Sequence, residues 1–485
     1  MLTKSNYLLG LQCPKLLWVT KNDKERIPKP DELQQKIFDT GNLVEEIAKK
    51  IFPEGTDLSQ FGFGENLNAT KEALILRKPI FEAGILKDDL FSRGDILFPV
   101  GHNEWDIIEV KSATQIKDIN IHDVSFQKYV YEKAGLKIRK CFLMHVNNEY
   151  IKNGEIEPKK FMAQTDITND VNLALEGIEK RVENMLKIIN SKNAPVCSIG
   201  VHCSNPYDCS ITGECHEEVP EDSVFDLYRM RKKKCFELYD SGIKKINQIP
   251  DGIKLNDKQK IQRLLAENDK KHIDNKQIDF FLKNLKYPIY YLDFETINPA
   301  IPKFDGMKPY QRIPFQFSLH IQEKPNGELK HISFLAEGTD DQRLKFIQTL
   351  KDNLGKRGDI LVYNQSFEKG VLKECSDAFP EFKEWYEKNI QPRIKDLWDV
   401  FRNFWYYDPK QKGSASIKYV LPVLSDLSYS EMDIKNGALA SYEYERVTYD
   451  SNVDEEDRKA IRDALEKYCE LDTLAEVEIV KGLGK

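Results

Sequence analysis

Asp293 and Glu295 lie two residues apart at the end of an apolar run, YPIYYLDFET over 287–296. In a strand, alternate side chains share a face, so both carboxylates point one way while Leu292 and Phe294 point the other. Two like charges side by side in an apolar strand are unfavourable unless a cation neutralises them. Paired divalent ions held by carboxylates drive phosphodiester cleavage, which is the chemistry this pair suggests. A second acidic constellation comes earlier: Asp95 follows Gly94, and Glu109-Val110-Lys111 closes the next apolar stretch after a turn through Gly101. There Asp95 and Glu109 would hold a divalent ion, and Lys111, on the face of Glu109, would orient water or stabilise charge on the phosphorus. Cys203, Cys209 and Cys215 recur at intervals of six, with Cys197 six residues earlier and Cys13 far upstream. Thiols gathered in a Gly/Pro/Asn-rich stretch point to zinc or an iron–sulfur cluster.

These residues need scaffolds. At 485 residues the chain exceeds one ordinary core and predicts two larger domains with a small third. Its net charge of −7 argues against coating nucleic acid nonspecifically, while leaving room for acidic metal sites. The basic runs at 137–140 and 231–234 read as solvated faces with phosphate contact as the alternative. No apolar run approaches membrane length and the N-terminus lacks a signal peptide, so a cytoplasmic protein without membrane association is expected. Its cysteines are then not disulfides, and Cys141, Cys235, Cys375 and Cys469 read as packing residues.

In the first half, Ser5 is the expected cap of a helix that breaks at Cys13-Pro14, and a second helix spans 33–51. Strands are expected at 79–85, 90–98 and 105–112, then a helix at 122–134 and a strand at 138–146. The D, then ExK, pattern on these elements resembles restriction-enzyme-like nucleases. With Gln127 and Tyr131 four apart on the following helix, it resembles the RecB-like branch, which includes CRISPR-associated iron–sulfur exonucleases and AddB-type nucleases. That resemblance implies catalytic roles for Lys111, Gln127 and Tyr131 and metal ligation by Asp95 and Glu109. The branch carries a further ligand in a GxxxH-like motif. Here Gly41-Asn42-Leu43-Val44-Glu45 offers Glu45, with Glu46 beside it. The resemblance also implies a [4Fe-4S] cluster on Cys13, Cys203, Cys209 and Cys215 that staples the ends of the module, leaving Cys197 spare.

A lysine-rich helical connector is expected at 221–280, with LYDSGIKKINQIP similar to half of a helix-hairpin-helix element. Beyond it, strands at 287–296, 313–321 and 331–335, a helix at 341–354, a strand at 359–364 and a helix at 367–379 follow the order of an RNase H-like core. Asn364, Phe367 and Glu368 leave the fourth strand, and Tyr468 and Asp472 share one face of a long helix at 454–483. DxE, NxxF plus an acid, and YxxxD together resemble the DnaQ-like exonucleases of the tyrosine subgroup. That resemblance implies that Asp293, Glu295 and Asp472 hold two Mg2+ or Mn2+ ions, with Glu368 in place of the usual Asp; Asp396 reads as a structural residue, with substitution for Glu368 as the alternative. Tyr468 would orient the attacking water. Asn364 and Lys418, the latter on a helix at 413–424 bordering the cleft, are candidates for binding substrate.

The expected fold is therefore α/β throughout: a restriction-endonuclease-like module at 1–220, the connector at 221–280 and an RNase H-like module at 281–485. Both halves together resemble a bacterial family of unknown function that fuses RecB-like and DnaQ-like modules. It implies a metal-dependent nuclease acting on ends or flaps, with DNA the favoured partner and RNA the alternative.

Overall fold

Contacts divide the chain into two units, Met1–Glu218 with Pro299–Gln311, and Val219–Asn298 with Arg312–Lys485. The computed structural model describes all residues except Asp269 and Lys485, which fall within the expected connector and at the end of the expected C-terminal module. Both units are mixed α/β. Among the described residues, no helix is long and apolar enough to cross a membrane.

The first unit opens with β1 (Leu2–Thr3), α1 (Lys4–Gln12) and α2 (Pro14–Asn22). Thr3, rather than Ser5, caps α1: its hydroxyl accepts from the Asn6 N–H at 3.3 Å. The break falls at Cys13, whose backbone is extended because Pro14 disfavours a helical residue before it. Then come α3 (Glu32–Lys49), β2 (Thr56–Asp57), α4 (Phe63–Leu76), β3 (Ile80–Lys87), β4 (Leu90–Val100), β5 (Glu104–Lys111), α5 (Asp118–Lys133), β6 (Lys137–Val146), β7 (Met162–Asp166), α6 (Thr168–Leu175) and α7 (Ile178–Ile189). The strands form one sheet in the order β2-β3-β4-β5-β6-β7, with β1 paired to β4. β5 and β6 are parallel, and α5 is their crossover. Val124, Phe126 and Val130 of α5 are buried in the core with Tyr7 of α1 and Leu97 and Ile107 of the sheet.

The expected connector packs within the second unit, on a small core of Val224, Leu227, Leu238, Ile246, Ile249 and Leu255. It carries α8 (Lys232–Asp240) and α9 (Asp257–Leu265). After the turn at Gly242, where φ is +88°, only a three-residue 3-10 turn follows, Ile246–Gln248, in place of the second helix of a hairpin.

The unit continues through β8 (His272–Ile273), α10 (Asn275–Lys283), β9 (Ile289–Ile297), β10 (Ile313–Gln322), β11 (Leu329–Leu335), α11 (Arg343–Asn353), β12 (Asp359–Val362), α12 (Gln365–Ala378), β13 (Ile394–Asp396), β14 (Tyr406–Tyr407), α13 (Ile417–Leu424), α14 (Gly437–Tyr449) and α15 (Glu455–Leu483). Its main sheet has the order β11-β10-β9-β12-β13, antiparallel on the β10 side and parallel on the β12 side. β10 is buried along its whole length, so both of its faces are covered. On one face Phe317 lies opposite Phe294 of β9, and both rings meet Phe346 of α11, at 5.6 and 5.2 Å. On the other face Ser318 lies opposite Asp293 and Gln316 opposite Glu295.

That second face receives α15 through polar contacts. Gln316 donates to the Leu465 carbonyl at 2.9 Å, and the Thr473 hydroxyl lies 2.6 Å from Ser318 Oγ and 2.8 Å from His320 Nδ1. Hydrogen bonds are directional where apolar packing is not, so they fix the rotation and axial position of α15. The helix carrying Tyr468 and Asp472 is thereby held in register with Asp293 and Glu295.

Candidate metal centres

In the second unit the outcome is a cage of carboxylates. One oxygen each from Asp293, Glu295 and Asp472 lies within 4.8 Å of the others. Glu368, in the first turn of α12, and Glu476, one turn beyond Asp472 on α15, are buried outside that trio, and each keeps an Oε2 with no hydrogen-bond partner. Among the described residues, none of the five belongs to an ion pair within 4.0 Å.

The electrostatics follow. Burial, then the charge of Asp472, pushes Glu295 up to about 8. Burial raises Asp472 to about 6, against hydrogen bonds from Tyr429 and Tyr468 and the charge of Lys418. Burial, then the charges of neighbouring cage carboxylates, holds Asp293 and Glu476 well above the usual carboxylate range, and burial, then the charge of Asp396, does the same for Glu368. Carboxylate oxygens converging with no ion-pair partner among the described residues make a donor set for hard divalent ions, so these residues fit Mg2+ or Mn2+.

Other predicted residues surround the cage. Tyr468 is buried, and burial with the charge of Asp472 keeps its phenol protonated far above neutral pH. The Lys418 ammonium lies 5.6 Å from the Tyr429 ring centre and 5.8 Å from that of Tyr468. Asn364 caps α12 from a left-handed backbone, φ +86°, and its N–H donates to Asp396 Oδ1 at 3.0 Å. Asp396 also accepts from the Trp398 N–H at 3.1 Å and so organises the strand end.

The first unit brings Asp95, Glu109 and Lys111 together on β4 and β5, but their charges are already met. Lys111 Nζ donates to Glu109 Oε1 at 2.6 Å and to Asp123 Oδ2 at 3.0 Å. Gln127 donates to Glu109 Oε2 at 2.6 Å. Lys4, the first residue of α1, donates to the same Glu109 Oε1 at 2.9 Å and lies 3.7 Å from Asp95 Oδ1 and 3.6 Å from Asp123 Oδ1. The lysines hold Glu109 well below its usual range despite burial, while burial and the charge of Glu109 push Asp95 up to about 7. A divalent ion bridging Asp95 and Glu109 does not fit this arrangement while Lys4 stays.

Tyr131 donates its hydroxyl to the Ala83 carbonyl at 2.7 Å. Its role is visible at Gly94, where a Cβ would meet Tyr131 Oη at 2.6 Å and Gln127 Oε1 at 2.7 Å. Gly94 therefore lets α5 approach the strand next to Asp95. Glu45 is half-buried, raised by burial and by the charge of Glu82, and paired with Lys49 at 3.4 Å; Glu46 is exposed.

The thiols gather where α1 meets α2. Cys13 Sγ lies 3.7 Å from Cys197 Sγ, which is 3.6 Å from His202 Nε2. Cys209 and Cys215 pack on the same small core, and Cys203 is buried with its Sγ accepting from the Gly200 N–H at 3.4 Å. The loop is tied to the helices by Gln12, which donates to the carbonyls of His202 and Tyr207 at 2.8 and 2.7 Å, and by the Lys15–Glu214 pair at 2.7 Å. All nine cysteines are free thiols, and five thiols with one imidazole exceed the four ligands a cluster requires. Of these groups, Cys13, Cys197 and His202 place ligand atoms within 4.8 Å of one another, so the cysteine expected to be spare, Cys197, is the one seated beside Cys13.

Sequence reasoning passed over Lys4, Asp123, Glu476 and Tyr429. Helical spacing could have offered Asp123, four residues before Gln127, and Glu476, four after Asp472. Lys4 and Tyr429 reach their partners only through the tertiary fold.

Residues 290–416 match a family described as a domain of unknown function, DUF2779. The chain is similar to "Uncharacterized protein UU173" of Ureaplasma parvum serovar 3, 28% identical over 237 residues, 44% of this chain and 34% of the relative. It is also similar to "Uncharacterized protein MG366 homolog" of Mycoplasma pneumoniae, 29% identical over 238 residues, 44% of this chain and 35% of the relative. The chain thus spans about a third of the length of these curated relatives.

Proposed function

We propose that this chain is a cytoplasmic metal-dependent exonuclease whose principal site is the cage of Asp293, Glu295, Glu368 and Asp472. The observation that carries this reading is the convergence of three carboxylates from β9 and α15 within 4.8 Å, with no ion-pair partner among the described residues. The strand order β11-β10-β9-β12-β13 supports an RNase H-like assignment of that sheet. Asp95, Glu109, Lys111 and Gln127 on a mixed sheet with its crossover helix support a restriction-endonuclease-like assignment of the first unit. Its thiols would hold a [4Fe-4S] cluster in a structural role.

Mg2+ or Mn2+ held by the cage would supply an activated water and neutralise charge developing on the phosphate. Asp293, Glu295 and Asp472 would be the direct ligands and Glu368 a longer-armed fourth. Tyr468, protonated at neutral pH, orients water by donating or accepting one hydrogen bond and does not serve as a general base. Lys418, whose charge acts on Glu295 and Asp472, and Asn364 at the start of α12 would meet the sugar-phosphate chain. The substrate is single-stranded DNA ends or flaps, trimmed from the 3′ end, with RNA as the alternative.

A second reading makes the first unit a clamp that holds nucleic acid without cutting it. The pairing of Lys4 and Lys111 with Asp95, Glu109 and Asp123 favours it. End-labelled DNA and RNA oligonucleotides, single-stranded and flapped, incubated with Mn2+ test both. Asp293→Asn is expected to remove 3′ trimming by about 10^3-fold or more. Residual cleavage lost on Lys111→Ala marks a second active site, and no such cleavage marks the clamp. Wild-type protein that leaves every polymer intact overturns the exonuclease reading.

A further inference from the structure

One helix joins two sites. α1 starts at Lys4, inside the carboxylates of the first unit, and ends at Gln12, where its cap is Cys13 of the thiol group. The oxygens around Lys4 leave little room for another cation. Glu109 Oε1 accepts from both Lys4 and Lys111, Oε2 accepts from Gln127, and Asp95 Oδ2 accepts the Val110 N–H at 2.7 Å. Asp95 Oδ1 faces Lys4 at 3.7 Å. The ammonium thus stands among Asp95, Glu109 and Asp123, where an ion bridging the first two would sit. Lys111 bonds Glu109 and Asp123, whereas Lys4 reaches Asp95, Glu109 and Asp123 together, so Lys4 and a divalent ion would occupy the same space and exclude each other.

We propose that Lys4 is a tethered cation filling the metal position of this first site, so that a divalent ion enters only when Lys4 withdraws. Withdrawal takes a swing of the partly exposed Lys4 side chain or a shift in the start of α1. The thiol loop restrains the other end of that helix through Gln12 and Cys13. This inference rests on reading Asp95 and Glu109 as metal ligands, and not on the activity of the C-terminal cage.

The test uses the full chain with that cage silenced by Asp293→Asn and Asp472→Asn, and it reads Mn2+ binding by calorimetry and electron paramagnetic resonance. With Lys4 in place, weak Mn2+ binding is expected. Lys4→Met should tighten it by about tenfold or more, adding Glu109→Gln should abolish the gain, and Lys4→Arg, which keeps the charge, should behave like Lys4. Should Lys4→Met misfold, amine acetylation read by mass spectrometry on the unmutated chain serves instead. Lys4 should be protected without Mn2+ and modified about tenfold faster when Mn2+ saturates. Lys4→Met binding no tighter than Lys4, Lys4→Arg gaining the ion equally, or Lys4 acetylation indifferent to Mn2+ would each overturn the proposal.

Discussion

The hydroxyl of Tyr429 donates a hydrogen bond of 2.6 Å to Oδ1 of Asp472, gripping one oxygen of a cage carboxylate from outside the cage. Its ring lies 6.3 Å from that of Tyr468, so two phenols flank the helix face that carries Asp472. A carboxylate oriented by such a bond presents its other oxygen in one direction and stays ionised more easily. Tyr429→Phe should keep the fold and weaken Mn2+ binding by about 10- to 100-fold. Calorimetric titration of Mn2+ checks it, and unchanged affinity would reduce the bond to packing.

Glu476 is buried, its Oε2 has no partner, and the charges of Asp293, Glu368 and Asp472 oppose its ionisation. Glu476→Gln keeps the shape and removes the cost of holding this carboxyl protonated at neutral pH without metal. The metal-free variant should be more stable by about 1 kcal/mol, a shift of a few degrees in Tm. In exchange, it should gain less stability from saturating Mn2+ than the wild type does. Melting curves with and without Mn2+ decide it, and a less stable metal-free variant would show that Glu476 acts through an attraction instead.

Local pattern made the cage legible and hid its surroundings. Alternation along β9 put Asp293 and Glu295 on one face, and four-residue spacing put Tyr468 and Asp472 on one face of α15; the register with β10 joins the two faces. The polar residues that seat α15, Gln316, Ser318 and His320, look from sequence like an exposed strand face, yet β10 is buried throughout. Helix α4 escaped notice because glycines and asparagines punctuate its first turns. Lys4 meets Glu109 across 105 residues, a distance that no local periodicity spans.

Without metal, stability should fall as pH rises, while the gain in stability from metal should grow. Glu295 at about 8 and Asp472 at about 6 sit above ordinary carboxylate values, so the folded metal-free cage binds protons more tightly than the unfolded chain does. Their contribution is present at acid pH and lost as pH rises through about 6 and then about 8. Metal-free protein should therefore melt at falling temperature from pH 5 to 8.5 or so. Mn2+ competes with those protons, so its stabilising effect should grow over the same interval. Asp293→Asn with Asp472→Asn should flatten both trends, and a metal-free Tm that rises with pH would contradict the cage electrostatics.

Which thiols hold a cluster can be read from colour. Cys197 lies 3.7 Å from Cys13, whereas the resemblance to RecB-like nucleases assigns Cys203, Cys209 and Cys215 to Cys13 and leaves Cys197 spare. Protein purified without oxygen should be brown, with absorbance near ~400 nm. Cys13→Ser should bleach it under either assignment. If Cys197 is a ligand, Cys197→Ser bleaches it as fully and one of Cys203, Cys209 or Cys215 proves dispensable. If Cys197 is spare, its variant stays brown and each of the other three bleaches. Because the thiol loop holds the end of α1 through Gln12, bleached variants should also melt earlier in the first unit than in the second. Hydrogen exchange resolved along the chain measures that difference, and equal protection in both units would show that the cysteine group does not brace the first.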